Sequence, residues 1–162
     1  DKRLNELKNI HGTHNIEYIL STESTIEQAI KNSDLVIGAV YVIGKKAPKV
    51  IKNNMLKNMK PGAVMVDISI DQGGCFESSR PTTHDEPTYL HNGVLHYCVT
   101  NMPGAVPLTA TEALNKATLS YVLELANKGI DIALNENDHL ANGLNFKNGN
   151  VVHEAVKEAL AS

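Results

Sequence analysis

The most constraining feature of this sequence is a short apolar stretch, GAVMVDISIDQGGCFE, which covers Gly62–Glu77. It follows a Pro-Gly turn and is interrupted by a Gly-Gly pair at Gly73 and Gly74. A β-branched run bounded in this way predicts a buried strand of a parallel sheet. Ligands of open α/β sheets bind outside the carboxyl ends of the strands, and glycine lets backbone approach a ligand closely. Asp71, at the predicted end of this strand, is therefore the first candidate for chemistry.

Composition and charge exclude several classes of protein. The chain has 162 residues, is 42% hydrophobic and 20% charged, and carries a net charge of -3, which fits one globular domain. Nothing in the charge favours nucleic acid or a membrane surface as a partner, and no apolar run approaches the roughly 20 residues of a membrane span. The two cysteines have no spacing typical of zinc sites or disulfide scaffolds. We therefore expect a cytoplasmic protein without a metal.

Strand-like and helix-like segments alternate along the chain. The patterns predict strands at 15–20, 35–40, 63–70 and 94–99, with 35–40 in the centre of the sheet. They predict helices at 1–9, 26–32, 49–59 and 109–128, with Ser24 or Thr25 capping the second, and a turn-like segment at 87–92. The tail predicts short helical segments at 130–135 and 140–144, a hairpin around 147–150 and a helix at 153–160.

This alternation predicts an α/β fold, specifically an incomplete doubly wound, Rossmann-like parallel sheet. It is called incomplete because no GxGxxG fingerprint occurs in the sequence, so we expect the phosphate-binding unit to lie upstream. The helical pattern at the very start of the chain also leads us to expect further residues upstream.

Several motifs resemble the C-terminal half of alanine dehydrogenase. They are SDLVIGAVYVIGKKAPK, VDISIDQGGCFESSRPTTHDEPTY, HYCVTNMPGAVP and YVLELANKG, and the similarity runs over essentially the whole chain. The combination of IDQGG with NMPGAVP is more specific than any single short motif. The resemblance implies NAD as cofactor, L-alanine and pyruvate as substrates, and assembly into homo-oligomers, commonly hexamers. The related α-subunit of NAD(P) transhydrogenase shares the fold but departs at the loop after the central strand.

The resemblance also implies site residues. Asp71 would be catalytic, beside the nicotinamide and the substrate. Asn101 and Met102 would contact the nicotinamide, and Asn101 also the substrate, from a neighbouring loop. Ser21 would lie at the adenine and Arg3 near the adenosine ribose. The positions expected under or along the cofactor are Ala39, Val40, Ile68 and Ile70.

The same resemblance implies a domain organisation. Residues 1–108 would form part of the NAD-binding domain, 109–129 a long connecting helix, and 130–162 a segment that packs on an N-terminal substrate domain. In the family, that domain supplies an arginine, a lysine and the catalytic histidine, so no histidine here inherits the catalytic role. Two alternatives stay open: an inactive fragment of a cofactor domain, and a transhydrogenase-type domain that moves hydride between two nicotinamides.

Each candidate also has a plain structural interpretation. Asp71 could be a turn former before Gly-Gly, Asn101 could belong to an ordinary loop, and Ser21 could be a helix cap. A carboxylate inside a strand, such as Asp67, needs buried partners, and we interpret it as structural. Cys75 could be a thiol near the cofactor, although a small buried residue is the simpler interpretation.

Two further groups favour plain interpretations. Lys45, Lys46 and Lys49 form a basic cluster that could bind phosphate but is typical of solvated surface. His84, with its histidine neighbours in the chain, matches no standard zinc spacing.

Overall fold

A computed structural model shows a mixed α/β protein, and residues 2–161 are described. Asp1, the first residue of the predicted helix 1–9, and Ser162, the last of the predicted segment 130–162, lie outside the described residues. The strands are β1 Leu35–Gly38, β2 Val64–Asp67, β3 Thr88–His91, β4 Val94–Tyr97, β5 Phe146–Lys147 and β6 Asn150–Val151. The α-helices are α1 Lys2–His11, α2 Glu23–Lys31, α3 Pro107–Lys128, α4 Ile130–Glu136, α5 Asp138–Asn142 and α6 Glu154–Ala161. Short 3₁₀ helices cover Met55–Asn58, Ile68–Gln72 and Met102–Ala105.

The chain divides into two compact units, each of two segments. The sheet unit contains the chain up to Val40 together with Ala47–Thr100. The helical unit contains Tyr41–Lys46 together with the chain from Asn101 onward.

The sheet unit is built on four strands in the order β1-β2-β4-β3. The first three are parallel, with Gly38 opposite Asp67 and Val66 opposite Tyr97, and β3 pairs antiparallel with β4. The register therefore brings the carboxyl ends of β1, β2 and β4 to one edge of the sheet, where parallel sheets bind ligands. The α/β class and the mostly parallel sheet predicted from the sequence are confirmed.

The core of the sheet unit lies between β2 and the segments that flank it. Apolar side chains from α2, the 3₁₀ helix Met55–Asn58, the strands and the loop after β2 form one buried cluster. Its members include Ile30, Ile51, Met55, Leu56, Met59, Met65, Phe76 and Val94. Gly38 packs against this cluster so closely that a Cβ there would lie 2.6 Å from the ring of Phe76. Only glycine fits at the end of β1.

Several predicted elements are wrong. The strand predicted at 35–40 is shorter and lies at an edge of the sheet, with Leu35 and Ile37 more than half exposed. The segment 15–20 is irregular, because a strand requires a hydrogen-bonded neighbour and none among the described residues pairs with it. The segment 87–92, predicted as a turn, contains β3. Its Asn92-Gly93 pair, with φ of 52° and 77°, forms the tight turn of a hairpin with β4.

The predicted helix 49–59 and the predicted cap of α2 are also wrong. Val50 donates to the carbonyl of Cys75 and Ile51 accepts from Glu77, so this segment runs extended beside the loop after β2 and coils only as a 3₁₀ helix from Met55. Tertiary hydrogen bonds outweigh the helical periodicity here. Thr22, rather than Ser24 or Thr25, caps α2, and Thr25 completes the capping box.

The helical unit is dominated by the 22-residue helix α3, which begins at a proline and ends before Gly129. None of its residues is buried, and in the described part of this unit only Ala133 is a buried apolar residue. The predicted hairpin is confirmed, with Asn148 and Gly149 in its turn at φ of 51° and 79°. Among residues 2–161, no helix has both the length and the apolar character needed to cross a bilayer.

Candidate functional site

The turn that follows β2 carries the principal candidate, Asp71. The strand stops at Asp67 rather than at Ile70, and the chain coils into the 3₁₀ helix Ile68–Gln72, which ends at Gly73 in the left-handed conformation (φ 91°). Asp71 is exposed on this helix, at the carboxyl edge of the parallel strands. Its carboxylate is therefore available to a ligand at the position where such sheets bind one.

The turn is anchored by the buried carboxylate of Asp67. Oδ1 accepts the backbone N–H of Ser69 at 3.0 Å, and Oδ2 accepts that of Cys75 at 2.8 Å. The Ser79 hydroxyl donates to Oδ2 at 2.5 Å. The residue is 0% exposed. These bonds satisfy the buried charge and fix both ends of the segment that contains Asp71, which agrees with the structural interpretation of Asp67.

The Cys75 thiol lies against the same carboxylate, with Sγ 3.4 Å from Oδ1 of Asp67. Burial, and then the negative charge of Asp67, raise the pKa of the thiol to about 11. The thiol is therefore protonated at neutral pH. Because the thiolate is the nucleophile, the interpretation of Cys75 as a small buried residue stands.

One serine hydroxyl joins the turn to the end of β1. Ser69 Oγ accepts from the N–H of Val40 and donates to the carbonyl of Val40, both at 2.8 Å. Val40 and the turn carry candidate cofactor positions, so this serine holds two candidate segments side by side.

A lysine fixes the glycine pair that closes the turn. Lys49 Nζ donates to the carbonyls of Gly73 at 2.6 Å and Gly74 at 2.9 Å. Lys49 is close to Lys45 and Lys46 in the sequence, but the structure gives them different contacts. Lys45 forms an ion pair with Glu158 at 2.5 Å. The order of residues alone gave no signal for the contact of Lys49 with the turn.

A second polar cluster, formed by His96, Ser78 and Tyr89, contacts the segment that follows the turn. The buried ring of His96 pairs through Nε2 with the Ser78 hydroxyl at 2.7 Å and through Nδ1 with the Val94 carbonyl at 3.0 Å. Tyr89 stacks on it, with ring centroids 5.0 Å apart, and donates to the Ser78 carbonyl. Burial lowers the pKa of His96 and raises that of Tyr89. Both groups stay neutral at physiological pH and support the segment that follows Asp71.

The remaining candidates of the sheet unit differ in exposure. Ala39, just after β1, and Ile68, at the start of the 3₁₀ helix that carries Asp71, are both exposed, Ile68 by 53%, and offer apolar surface. Ile70 is 3% exposed, so its side chain belongs to the interior. Arg3 is exposed on α1 and pairs with Glu6 at 3.2 Å. Ser21 is exposed and precedes the cap of α2, so the interpretation of Ser21 as the cap is wrong.

Asn101 and Met102 belong to the helical unit. Asn101 follows the last residue of the sheet unit and adopts a left-handed conformation, φ 52° and ψ 51°, which asparagine tolerates better than most residues. Met102 opens the 3₁₀ helix that leads into α3. A groove of about 640 Å³ lies within the helical unit, and its lining includes Asn101, Pro103 and Thr111.

The described residues contain no group of three histidine, cysteine or acidic side chains that could hold a metal ion.

Comparison with known proteins places these features in a family. Residues 1–154 match the family model described as alanine dehydrogenase/PNT, C-terminal domain. The chain is 52% identical over 161 residues to an alanine dehydrogenase of Halomonas elongata, covering 98% of this chain and 43% of the relative. It is 51% identical over 162 residues to one of Mycolicibacterium smegmatis, covering 99% and 44%. The chain thus spans less than half the length of these relatives.

Solved structures give the same picture. An L-alanine dehydrogenase superposes with a TM-score of 0.82 at 46% identity, covering 99% of this chain and 44% of that one. A transhydrogenase from Sinorhizobium meliloti superposes with a TM-score of 0.68 at 22% identity, covering 93% and 40%. The second likeness concerns the fold alone.

Proposed function

Because this chain belongs to the alanine dehydrogenase/PNT family through its C-terminal domain, we propose that it supplies the cofactor-binding part of an NAD-dependent alanine dehydrogenase. The reaction is the oxidative deamination of L-alanine to pyruvate and ammonia, and its reverse. The observation that carries the proposal is the exposed carboxylate of Asp71 on an anchored turn at the carboxyl edge of three parallel strands.

The surface around Asp71 fits a nicotinamide ring. An oxidised nicotinamide is flat, largely apolar and positively charged. Ile68 and Ala39 provide exposed apolar surface, and Asp71 provides the opposite charge. A carboxylate close to a cation stabilises it. We assign cofactor contacts to Ala39, Val40, Ile68 and Asp71 from the sheet unit, to Asn101 and Met102 from the helical unit, and to Arg3 and Ser21 on the adenosine side. The side chain of Ile70 is buried, so we assign it a supporting role in the turn rather than a contact with the cofactor.

A bound nicotinamide would supply the acceptor for the hydride that leaves the α-carbon of L-alanine. The resulting imine adds water and releases ammonia to give pyruvate. The role of this chain is to orient the reactants and to stabilise charge, with Asp71 holding the ammonium or imine nitrogen and the attacking water. The amide of Asn101 can hydrogen-bond a carboxamide or carboxylate, and Met102 offers a soft apolar surface to the ring.

The test supplies the part of the enzyme that this chain does not match. We would join the chain to the unmatched portion of the Halomonas relative and follow NADH absorbance with L-alanine and NAD, beside the 162-residue chain alone. We expect the joined protein to form NADH only when L-alanine is present. A joined protein that is folded but forms no NADH would reject the proposal.

Two further readings separate the alternatives. If the joined protein is mixed with one reduced and a second, spectroscopically distinct oxidised nicotinamide cofactor, hydride exchange between them without L-alanine would indicate a transhydrogenase-type domain. Inactivity of the chain alone beside an active joined protein would mean that the chain needs a further domain to act. We also propose that the active protein is a homo-oligomer.

A further inference from the structure

We propose that Asp67 is a positioning residue for this reaction: its buried carboxylate holds the turn that presents Asp71. The inference rests on the proposed function, because it assigns a role in catalysis to a residue that lies outside the ligand's reach. Asp67 is 0% exposed, so it can act on a ligand only through the turn.

The donors to Asp67 come from both sides of Asp71. The N–H of Ser69 lies two residues before Asp71, and the N–H of Cys75 lies four residues after it. The Ser79 hydroxyl reaches the same carboxylate from further along the chain. One side chain therefore closes the segment 69–79 into a loop around Asp71.

The chemistry of these contacts requires a carboxylate. The bonds use both oxygens as acceptors, and Ser69 N–H and Cys75 N–H are backbone donors that cannot reverse their direction. Asparagine has the same shape but offers one oxygen and one NH₂ group, so one of these backbone donors would face another donor. The buried site would then lose a hydrogen bond and gain a repulsive contact.

The surrounding backbone leaves no room for another arrangement. Gly74 has φ of 74°, and a Cβ there would lie 2.8 Å from Oδ2 of Asp67 and 2.8 Å from Cβ of Ser79. The glycine thus allows the backbone to approach the carboxylate, while Lys49 Nζ donates to the carbonyls of Gly73 and Gly74. The turn is therefore held by two side chains, the buried carboxylate of Asp67 and the exposed ammonium group of Lys49.

The first measurement tests the turn itself in the 162-residue chain. We would compare Asp67→Asn with Asp34→Asn, an exposed aspartate that forms an ion pair with Lys60, by amide hydrogen exchange. In Asp67→Asn we expect peptides covering 68–79 to exchange about tenfold faster or more, with β4 peptides within about twofold of the parent. Unchanged exchange at 68–79 would overturn the proposal.

The second measurement tests positioning in the joined protein described above. We expect Asp67→Asn to lower kcat by about tenfold or more, with KM for NAD changed by less than about threefold, because a displaced Asp71 weakens transition-state contacts more than cofactor binding. If the parent is active on L-alanine and Asp67→Asn has the same kcat as the parent, the inference is overturned and the proposed function stays intact. An inactive parent would instead count against the proposed function.

Ser79→Ala keeps the test decisive if Asp67→Asn does not fold. It removes one hydroxyl donor and leaves the backbone donors of Ser69, Cys75 and Phe76 in place. We expect a change in the same direction, in loop exchange and in kcat, but several-fold smaller than that of Asp67→Asn. If Ser79→Ala changes neither quantity while Asp67→Asn fails to fold, Asp67 serves the fold alone and the proposal is wrong.

Discussion

The sheet unit and the helical unit differ in how their apolar residues are used. In the sheet unit, side chains such as Leu56, Met65 and Phe76 are at most 1% exposed and form one cluster. In the described part of the helical unit, Ala133 alone is a buried apolar residue, and α3 leaves Leu114, Leu119 and Leu123 at least half exposed. The sheet unit therefore has a buried apolar core, whereas the described part of the helical unit has almost none.

The difference shows that helix formation and core formation are separate properties. Helix α3 has strong helix formers, a proline at its start and Gly129 after its end, so local preference specifies it without a packed face. The sheet unit depends on contacts between distant segments, such as those of Asp67 and Ser69. We therefore expect the sheet unit to carry most of the stability of this chain.

The largest effect should follow removal of core volume from the sheet unit. Leu56→Ala empties a fully buried position and should lower the free energy of unfolding by about 2–5 kcal/mol. Leu119→Ala in α3, where the side chain is 54% exposed, should change it by about 0.5 kcal/mol or less. Urea unfolding followed by circular dichroism measures both. Equal losses would show that α3 packs as tightly as the sheet unit.

Adding a methyl group should also destabilise the sheet unit more than the helical unit. Gly38→Ala places a methyl group against the Phe76 ring and should cost about 1–3 kcal/mol. Gly143→Ala, after α5, meets no atom closer than 3.4 Å at a right-handed φ of -83°, and should be nearly neutral. Thermal melts of the two variants provide the measurement. A stable Gly38→Ala protein would mean that β1 is not packed as described.

Stability should depend on pH through His96 in the sheet unit. Burial holds its pKa below the ordinary value of about 6.5, so below that pH the unfolded chain binds a proton that the folded chain does not. The free energy of unfolding should therefore fall as the pH drops below about 6.5. His96→Gln should flatten this dependence in urea titrations from pH 7 to 5, whereas His139→Gln, exposed in the helical unit, should not. Identical slopes would contradict the assignment.

The smallest effect should come from the surface of the helical unit. Lys45 and Glu158 form an ion pair while both side chains are more than half exposed. Such pairs contribute about 0–1 kcal/mol, so Lys45→Ala should change the melting temperature by only a degree or two. The effect should also vanish at high salt. A larger decrease in melting temperature that persists at high salt would indicate that the ion pair contributes to stability beyond an ordinary surface pair.

The sequence predicted the fold class, the long helix and the position of Asp71 after a buried strand, because each depends on a local pattern. It did not predict that β2 ends at Asp67. The Asp67 carboxylate caps the following 3₁₀ helix through Ser69 and also accepts bonds from Cys75 and Ser79, and these last two contacts depend on the geometry of the turn. Long-range bonds likewise override the helical pattern of 49–59. The strand β3 could have been predicted from the sequence, because the pair Asn92-Gly93 is typical of a hairpin turn between two strands.

The central claim is tested most directly by replacing Asp71 in the joined protein that contains this chain. Asp71→Asn keeps the size of the side chain and removes its charge, while Asp85→Asn changes an exposed loop aspartate as a control. We expect NADH formation from L-alanine to fall by about 100-fold or more in Asp71→Asn and to remain near the parental rate in Asp85→Asn. A folded Asp71→Asn protein with the parental rate would contradict the account.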